Sequence, residues 1–134
     1  LVRHPGIKFT LFGNRYILEP LLSATPHLKA TAKIVHTEHV VGNHDKPSHA
    51  VRRGRNSSMW LAIESVREGE CCAVVSAGNT GALMAMSKLI LRTLPGVSRP
   101  AIAALFPTLR GECVMLDLGA NVECDANDLF RFAI

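Results

Sequence analysis

Short apolar runs bounded by turn residues recur along the chain, at Ile7 to Phe12, Ala32 to Val35, Ala73 to Val75, Ala101 to Phe106 and Val114 to Leu118. Their length and the scarcity of polar interruptions suit strands buried on both faces of a parallel sheet. Segments of helical period lie between several of them. Met59, Ile63 and Val66 share one face of a helix predicted to begin at Ser57 or Ser58, whose hydroxyl can cap free amides, and to stop at Gly69. A second helix is predicted from Asn79 to Leu94, with Leu83, Met86, Ile90 and Leu94 in one stripe and Pro95-Gly96 ending it. A third begins near Asp125, which caps it, with Asp128 in its first turn. Asp45-Lys46-Pro47-Ser48 precedes a further helix, with Ser48 as the expected cap. Alternating strands and helices predict a doubly wound α/β sheet. No repeat or low-complexity tract interrupts the pattern, and Pro95 to Pro100 reads as a connector. Residues 1–134 are therefore expected to form a single partial α/β domain. The start at Leu1 and the end at Ile134, inside a predicted helix, lead to the expectation of an internal fragment truncated at both ends.

Composition narrows the functional classes. A hydrophobic share of 48% is enough to line a core. The formal charge of +4 is spread out, with a local cluster only at Arg52, Arg53 and Arg55 beside Lys46, too little for a nucleic-acid footprint. That cluster reads either as a solvated surface or as an attractor for an anionic substrate. Cys71, Cys72, Cys113 and Cys124 show no C-x-x-C spacing, so buried reduced thiols are expected rather than zinc or redox chemistry. His36, His39, His44 and His49 straddle Pro47 and match no H-E-x-x-H pattern, so no metal site is expected. No apolar run approaches the ~20 residues of a membrane span, and no signal-peptide succession opens the chain. The expected location is cytoplasmic, with peripheral membrane contact left open.

The chemistry concentrates in Ser76-Ala77-Gly78-Asn79-Thr80-Gly81, which follows a predicted strand and opens a predicted helix. Ligands of open α/β sheets bind at that end of the strands. Gly78 and Gly81 allow a tight turn and close approach, while Ser76, Asn79 and Thr80 place side-chain donors beside the unpaired amides of a helix start, a setting that suits an oxyanion. The alternative is a plain strand-to-helix turn with Asn79 or Thr80 as an ordinary cap. The loop is neither a Walker A sequence nor a dinucleotide fingerprint. A second loop of the same kind, Asp117-Leu118-Gly119-Ala120-Asn121, leaves another apolar run. There Asn121 is a candidate donor, and Asp117 either accepts from a neighbouring loop or braces backbone amides. Lys46 either stays solvated or reaches toward an anion.

Taken in order, Asp45-Lys46-Pro47-Ser48, Asn56-Ser57-Ser58-Met59, Val75 through Met84 reading V-S-A-G-N-T-G-A-L-M, Leu94-Pro95-Gly96, Arg99-Pro100-Ala101, Pro107-Thr108, Leu116 through Val122 and then Cys124 resemble the bacterial phosphate acyltransferase (PlsX) family of phospholipid synthesis. The resemblance spans the chain from Phe9 onward. It implies a three-layer, mostly parallel α/β fold similar to phosphate acetyltransferases and isopropylmalate-type dehydrogenases, in a cytosolic, often membrane-associated homodimer without metal, nucleotide or other cofactor. It departs from the family in lacking the opening Asp-Ala-Met-Gly-Gly-Asp strand and the C-terminal half, in Asn43-His44 where acidic residues are usual, and in Glu123 for an aspartate.

The reaction so implied is attack of inorganic phosphate on a fatty acyl thioester of acyl carrier protein, giving acyl phosphate and the free thiol. Phosphate is already an anionic nucleophile, so the site has to supply placement and oxyanion donors rather than an activated side chain. The expected catalytic residues are Asn79, Asn121 and Lys46. The expected phosphate- and substrate-binding residues are Ser76, Gly78, Asn79, Thr80, Gly81, Asp117 and Gly119. Three other readings are a transferase acting on short acyl-coenzyme A, a decarboxylating dehydrogenase of similar fold, and a non-catalytic phosphate- or carrier-binding fragment. The dehydrogenase would need metal-binding aspartates and a nicotinamide site, for which the sequence has no evident motif.

Overall fold

The computed structural model of the protein describes residues 6–121 and 123–133. The chain divides into two compact units, Leu1–Leu91 and Arg92–Ile134. In the first, strands β1 (Phe9–Gly13) and β2 (Ala32–His36) pair in parallel, in a register running from Phe9 opposite Ala32 to Gly13 opposite His36. Parallel strands need a crossover, and helices α1 (Arg15–Ser23) and α2 (Pro26–Lys29) supply it. Asn14 caps α1 by accepting from the Tyr16 amide at 2.9 Å. Pro20 lies inside α1, which hides this helix from the sequence pattern, because proline removes an internal hydrogen bond.

Three helices follow, α3 (Pro47–Arg53), α4 (Ser58–Arg67) and α5 (Thr80–Ile90). Ser48 does not cap α3. Pro47 takes the first helical position, where its missing N–H costs nothing, and Lys46 is the cap residue without a side-chain bond. Helix α4 is capped by Ser57, as expected, and is stopped past its Glu68 C-cap by Gly69 at φ +77, a left-handed position that glycine adopts without strain. Helix α5 stops at Ile90, short of the expected Leu94, because Leu91 closes it and Arg92 turns to positive φ. Leu94 is consequently exposed rather than part of the stripe.

The core of this unit is Val41, Ala50, Met59, Trp60, Ile63, Ala82, Met86 and Ile90, with Val51, Val74 and Leu83 packed against it. It is assembled from one face each of α3, α4 and α5, with Val41 from the segment between β2 and α3. Of the face expected on α4, Met59 and Ile63 are buried and Val66 half-buried. Ala73–Val75, expected as a strand, makes no ladder among the described residues, and Val75 is 96% exposed. An extended run becomes a strand only when a partner is there to take its hydrogen bonds.

In the second unit, β3 (Ala104–Thr108) and β4 (Gly111–Met115) pair antiparallel, Ala104 opposite Met115 and Thr108 opposite Gly111. The expected α/β character and a parallel pair are present in β1 and β2, while the runs at β3 and β4, expected in a parallel sheet, pair antiparallel. The link through Leu109 and Arg110 is too short for a crossover and suits only a hairpin. Thr108 fastens it, its hydroxyl donating to the Gly111 carbonyl at 3.0 Å and accepting from the Arg110 amide at 3.3 Å. Helix α6 (Ala126–Phe132) begins with the predicted Asp125 cap, which accepts from the Asp128 amide at 2.8 Å in a reciprocal capping box. Among the described residues no helix is long and apolar enough to cross a membrane. All four cysteines are free, but the expected burial is not found: Cys72, Cys113 and Cys124 are exposed and Cys71 half-buried.

Candidate functional site

In the first unit the glycine-rich loop ends at the start of α5, as the sequence predicts. Ser76 stabilises it locally, accepting the Gly78 amide at 3.2 Å. Asn79 is the helix cap, its Oδ1 accepting the Ala82 amide at 2.9 Å. The next backbone donors along the chain, Thr80 and Gly81, are first-turn amides that give no hydrogen bond to any described residue. Together with the helix dipole they form the electropositive end of α5. Gly78, Thr80 and Ser76 are exposed to solvent there.

Gly81 serves packing as well. A Cβ at this position would stand 2.9 Å from Pro47 Cγ, so the first turns of α3 and α5 touch only because Gly81 has no side chain. The turn ahead of α3 is closed on itself, with the Asp45 amide donating to the Gly42 carbonyl at 3.1 Å and Asp45 Oδ2 accepting the Gly42 amide at 2.8 Å. Asn79 Nδ2 in turn donates to the carbonyls of Gly42, Asn43 and Asp45. Lys46 follows directly, with an exposed side chain. Thus the backbone at Lys46 and, far from it in sequence, Asn79 and Gly81 meet where α3 and α5 begin. The carboxamide of Asn79, expected to offer donors to substrate, gives them to this turn.

The supporting contacts were not foreseen. Ser57 is buried and bridges, its hydroxyl donating to the Gly54 carbonyl at 2.6 Å while accepting the Trp60 amide at 3.3 Å. Thr37, also buried, donates from Oγ1 to the Asn56 carbonyl at 2.7 Å, tying the end of β2 to the turn before α4. A serine three residues after a helix-ending glycine is the available signal for the first; nothing local marks the second. A groove of about 550 Å³ beside α1 and β2, lined in part by Arg15, Lys29 and Lys33, shares no residue with the glycine loop. Among the described residues no group of three or more histidine, cysteine or acidic side chains is placed to hold a metal. His36 Nδ1 accepts the Arg15 amide at 3.1 Å, and its ring meets Tyr16 edge-on at 6.0 Å.

In the second unit the Asp117–Asn121 turn is self-braced. Asp117 accepts the Ile102 amide through Oδ1 at 2.8 Å, and through Oδ2 the Asn121 amide at 2.8 Å and Asn121 Nδ2 at 3.0 Å. Of the two roles open to Asp117, this is the bracing one. Asn121 Nδ2 also donates to the Pro100 carbonyl at 3.2 Å. Gly119 takes φ +76, the left-handed bend on which the turn depends. Burial pushes the Asp117 carboxyl up, but the bonds from Ile102, the Asn121 side chain and the Asn121 and Ala120 amides outweigh it and leave it below the usual carboxylate range. A depressed carboxylate adds stability above its unfolded value of about 3.9, and that stability is lost as pH falls through the lower folded value. Asp117→Asn should therefore cost about 1 kcal/mol at neutral pH, below the ~1.5–3 kcal/mol of hydrogen bonds to a charged group because solvent screens a half-buried side chain. The gap to the native protein should narrow by pH 3 in thermal unfolding of the full-length protein; a gap constant with pH would dismiss the brace.

The chain is thus defined as an α/β protein with glycine turns at helix starts. The family model described as fatty acid synthesis protein matches residues 2–134, and the chain belongs to that family. It is similar to proteins named phosphate acyltransferase. The one from Rhodospirillum rubrum is 60% identical over 132 residues, that from Paramagnetospirillum magneticum 54% over 132, and that from Nitrobacter hamburgensis 56% over 135. These matches cover 98%, 98% and 100% of this chain, which spans 38% of each relative's length.

Proposed function

We propose that the protein to which this chain belongs is an acyltransferase that moves a fatty acyl group from acyl carrier protein to inorganic phosphate, giving acyl phosphate for phospholipid synthesis. The observation that carries this reading is the 54–60% identity, over nearly the whole chain, to proteins bearing the name phosphate acyltransferase. A phosphate oxygen attacks the thioester carbonyl carbon, the C–S bond breaks, and the carrier thiolate leaves and takes up a proton.

The roles follow from what each group has left to give. The Thr80 and Gly81 amides bind the anion, with Ser76, Gly78 and the Thr80 hydroxyl around them. Lys46 offsets charge, and Asn79 contributes through what its carboxamide holds in place. Asp117 and Gly119 shape a substrate-binding turn of their own. On that turn Asn121 has its two amide protons engaged and keeps Oδ1, which accepts from no described residue, to meet substrate. Placement by such groups is worth up to ~7–11 kcal/mol in favourable intramolecular cases.

The complete protein is proposed to have the three-layer, doubly wound, mostly parallel fold of phosphate acetyltransferases and isopropylmalate-type dehydrogenases, which would bury Val75, Leu105 and Val114, exposed in this chain. It is further proposed to be a cytoplasmic homodimer, peripheral at the membrane, acting without metal or cofactor and without nucleic acid as a partner. The test is incubation of the full-length protein with labelled phosphate and either a long-chain acyl carrier thioester or a short acyl-coenzyme A. Labelled acyl phosphate from the carrier thioester is the expected product. Product from the coenzyme A ester alone would favour the short-chain transferase, and no product from either would leave a binding protein.

A further inference from the structure

The carboxamide of Asn79 serves two segments at once. Its Oδ1 caps α5 through the Ala82 amide at 2.9 Å. Its Nδ2 donates to the carbonyls of Asp45 at 2.9 Å, Gly42 at 3.1 Å and Asn43 at 3.2 Å. A carboxamide has two N–H donors, so three carbonyls already share everything this group can give. A substrate oxygen could be served only by releasing the turn.

That turn immediately precedes Lys46. On one side of Lys46 the Asp45 carbonyl is held by Asn79, and on the other Pro47 lies so close to Gly81 that a Cβ there would stand 2.9 Å from Pro47 Cγ. The backbone of Lys46 is thus fastened on both sides to the first turn of α5. Buried Val41 and, at Gly81, Pro47 pack the two ends of this segment against the α5 side of the core. Between them no other side-chain hydrogen bond among the described residues joins the turn to the helix: the Asp45 carboxylate is spent on its own Gly42 amide, and the residues from Gly42 to Lys46 are exposed. A freed turn would exchange its three carbonyl bonds for water and gain conformational freedom.

We propose that Asn79 is a positioning residue, fastening the Gly42–Asp45 turn to the start of α5 and so fixing the backbone from which Lys46 meets the anionic substrate. This rests on the phosphate acyltransferase reading for its substrate, though not for the clamp itself. Asn79→Ser and Asn79→Asp, made in the full-length protein, each keep an oxygen to cap α5 and lose the two donors; the serine variant adds no charge that would itself repel phosphate. Hydrogen exchange of the Gly42 and Asp45 amides, the two that are hydrogen-bonded within the turn, should speed up about tenfold or more in both variants while that of α5 stays within about threefold. The KM for phosphate should rise about tenfold in Asn79→Ser with kcat changed less than about threefold. Adding Asn79→Ser to Lys46→Ala should raise KM little beyond Lys46→Ala alone, because the clamp acts through the lysine.

Two kinetic results would overturn the assignment: a large fall in kcat at unchanged KM, which would put the carboxamide on the reacting atoms, or effects of the two substitutions that simply multiply. Unchanged exchange of the turn in Asn79→Ser would overturn it whatever the enzyme does. If the wild-type protein makes no acyl phosphate, the functional reading fails while the exchange result still decides whether the clamp exists.

Discussion

Alanine in place of Gly54 is expected to destabilise the protein by about 1–3 kcal/mol or more, the range for forcing an extra carbon into a packed interior. The dihedral angles are not the reason, since φ −91 and ψ 13 are open to any residue. Space is. A Cβ on Gly54 would collide with the Ala50 carbonyl oxygen and stand 2.6 Å from Met86 Cε. The methionine end can swing aside, but the carbonyl belongs to the last turn of α3 and accepts the Gly54 amide itself at 2.8 Å. Relief would have to move the C-terminus of α3 against α5 and disturb the Ser57 hydroxyl bound to the Gly54 carbonyl. Gly69→Ala makes the informative contrast. There a Cβ meets nothing within 4 Å, so only the left-handed backbone at φ +77 is penalised, by about 1–2 kcal/mol. Thermal unfolding of the two full-length variants should rank Gly54→Ala as the more harmful. The reverse order would mean that α3 and α5 separate more easily than their packing implies.

Ile63→Ala is expected to cost more still, about 2–5 kcal/mol, as transfer and cavity terms add in a site that cannot collapse. Ile63 is 0% exposed in the middle of the α3, α4 and α5 core, with Met86 and Ala82 equally closed off from solvent. It lies on a regular helix, so backbone movement to fill the hole would drag α4 as a whole. Ile63→Val removes one methyl group and should cost about 0.5–1.5 kcal/mol. Urea unfolding of the full-length protein measures both. A loss below about 1 kcal/mol for the alanine variant would show that Met59 or Met86, the flexible neighbours in this core, refill the space.

The two substitutions also separate what is local from what is not. Helices α4 and α6 are legible in the sequence because their signals are contiguous: Ser57 and Asp125 as caps, Gly69 as a stop, and Met59, Ile63 and Val66 on one face. The start of α5 at Asn79 is legible for the same reason, while its end is not, since Arg92 takes a left-handed conformation that no nearby glycine announced. The hairpin of β3 and β4 was open to inference from the shortness of its connection alone. Ala73–Val75 could not be settled locally, because apolar residues favour a strand without providing its partner.

For the candidate site, the sequence by itself determined the residue types: glycines where backbone must come close, an asparagine to cap α5, a carboxylate with amides around it, and a lysine just ahead of a proline. Tertiary structure decided what each is used for. Residues 34 or more apart in sequence meet when Asn79 reaches the Gly42–Asp45 turn, and the packing of α3 on α5 gives Gly81 and Gly54 their purpose. The physical reason is that a cap or a turn is satisfied within a few residues, and so leaves a pattern in the chain. The partner of a side-chain amide, or the atom that excludes a methyl group, is fixed only by how the elements pack.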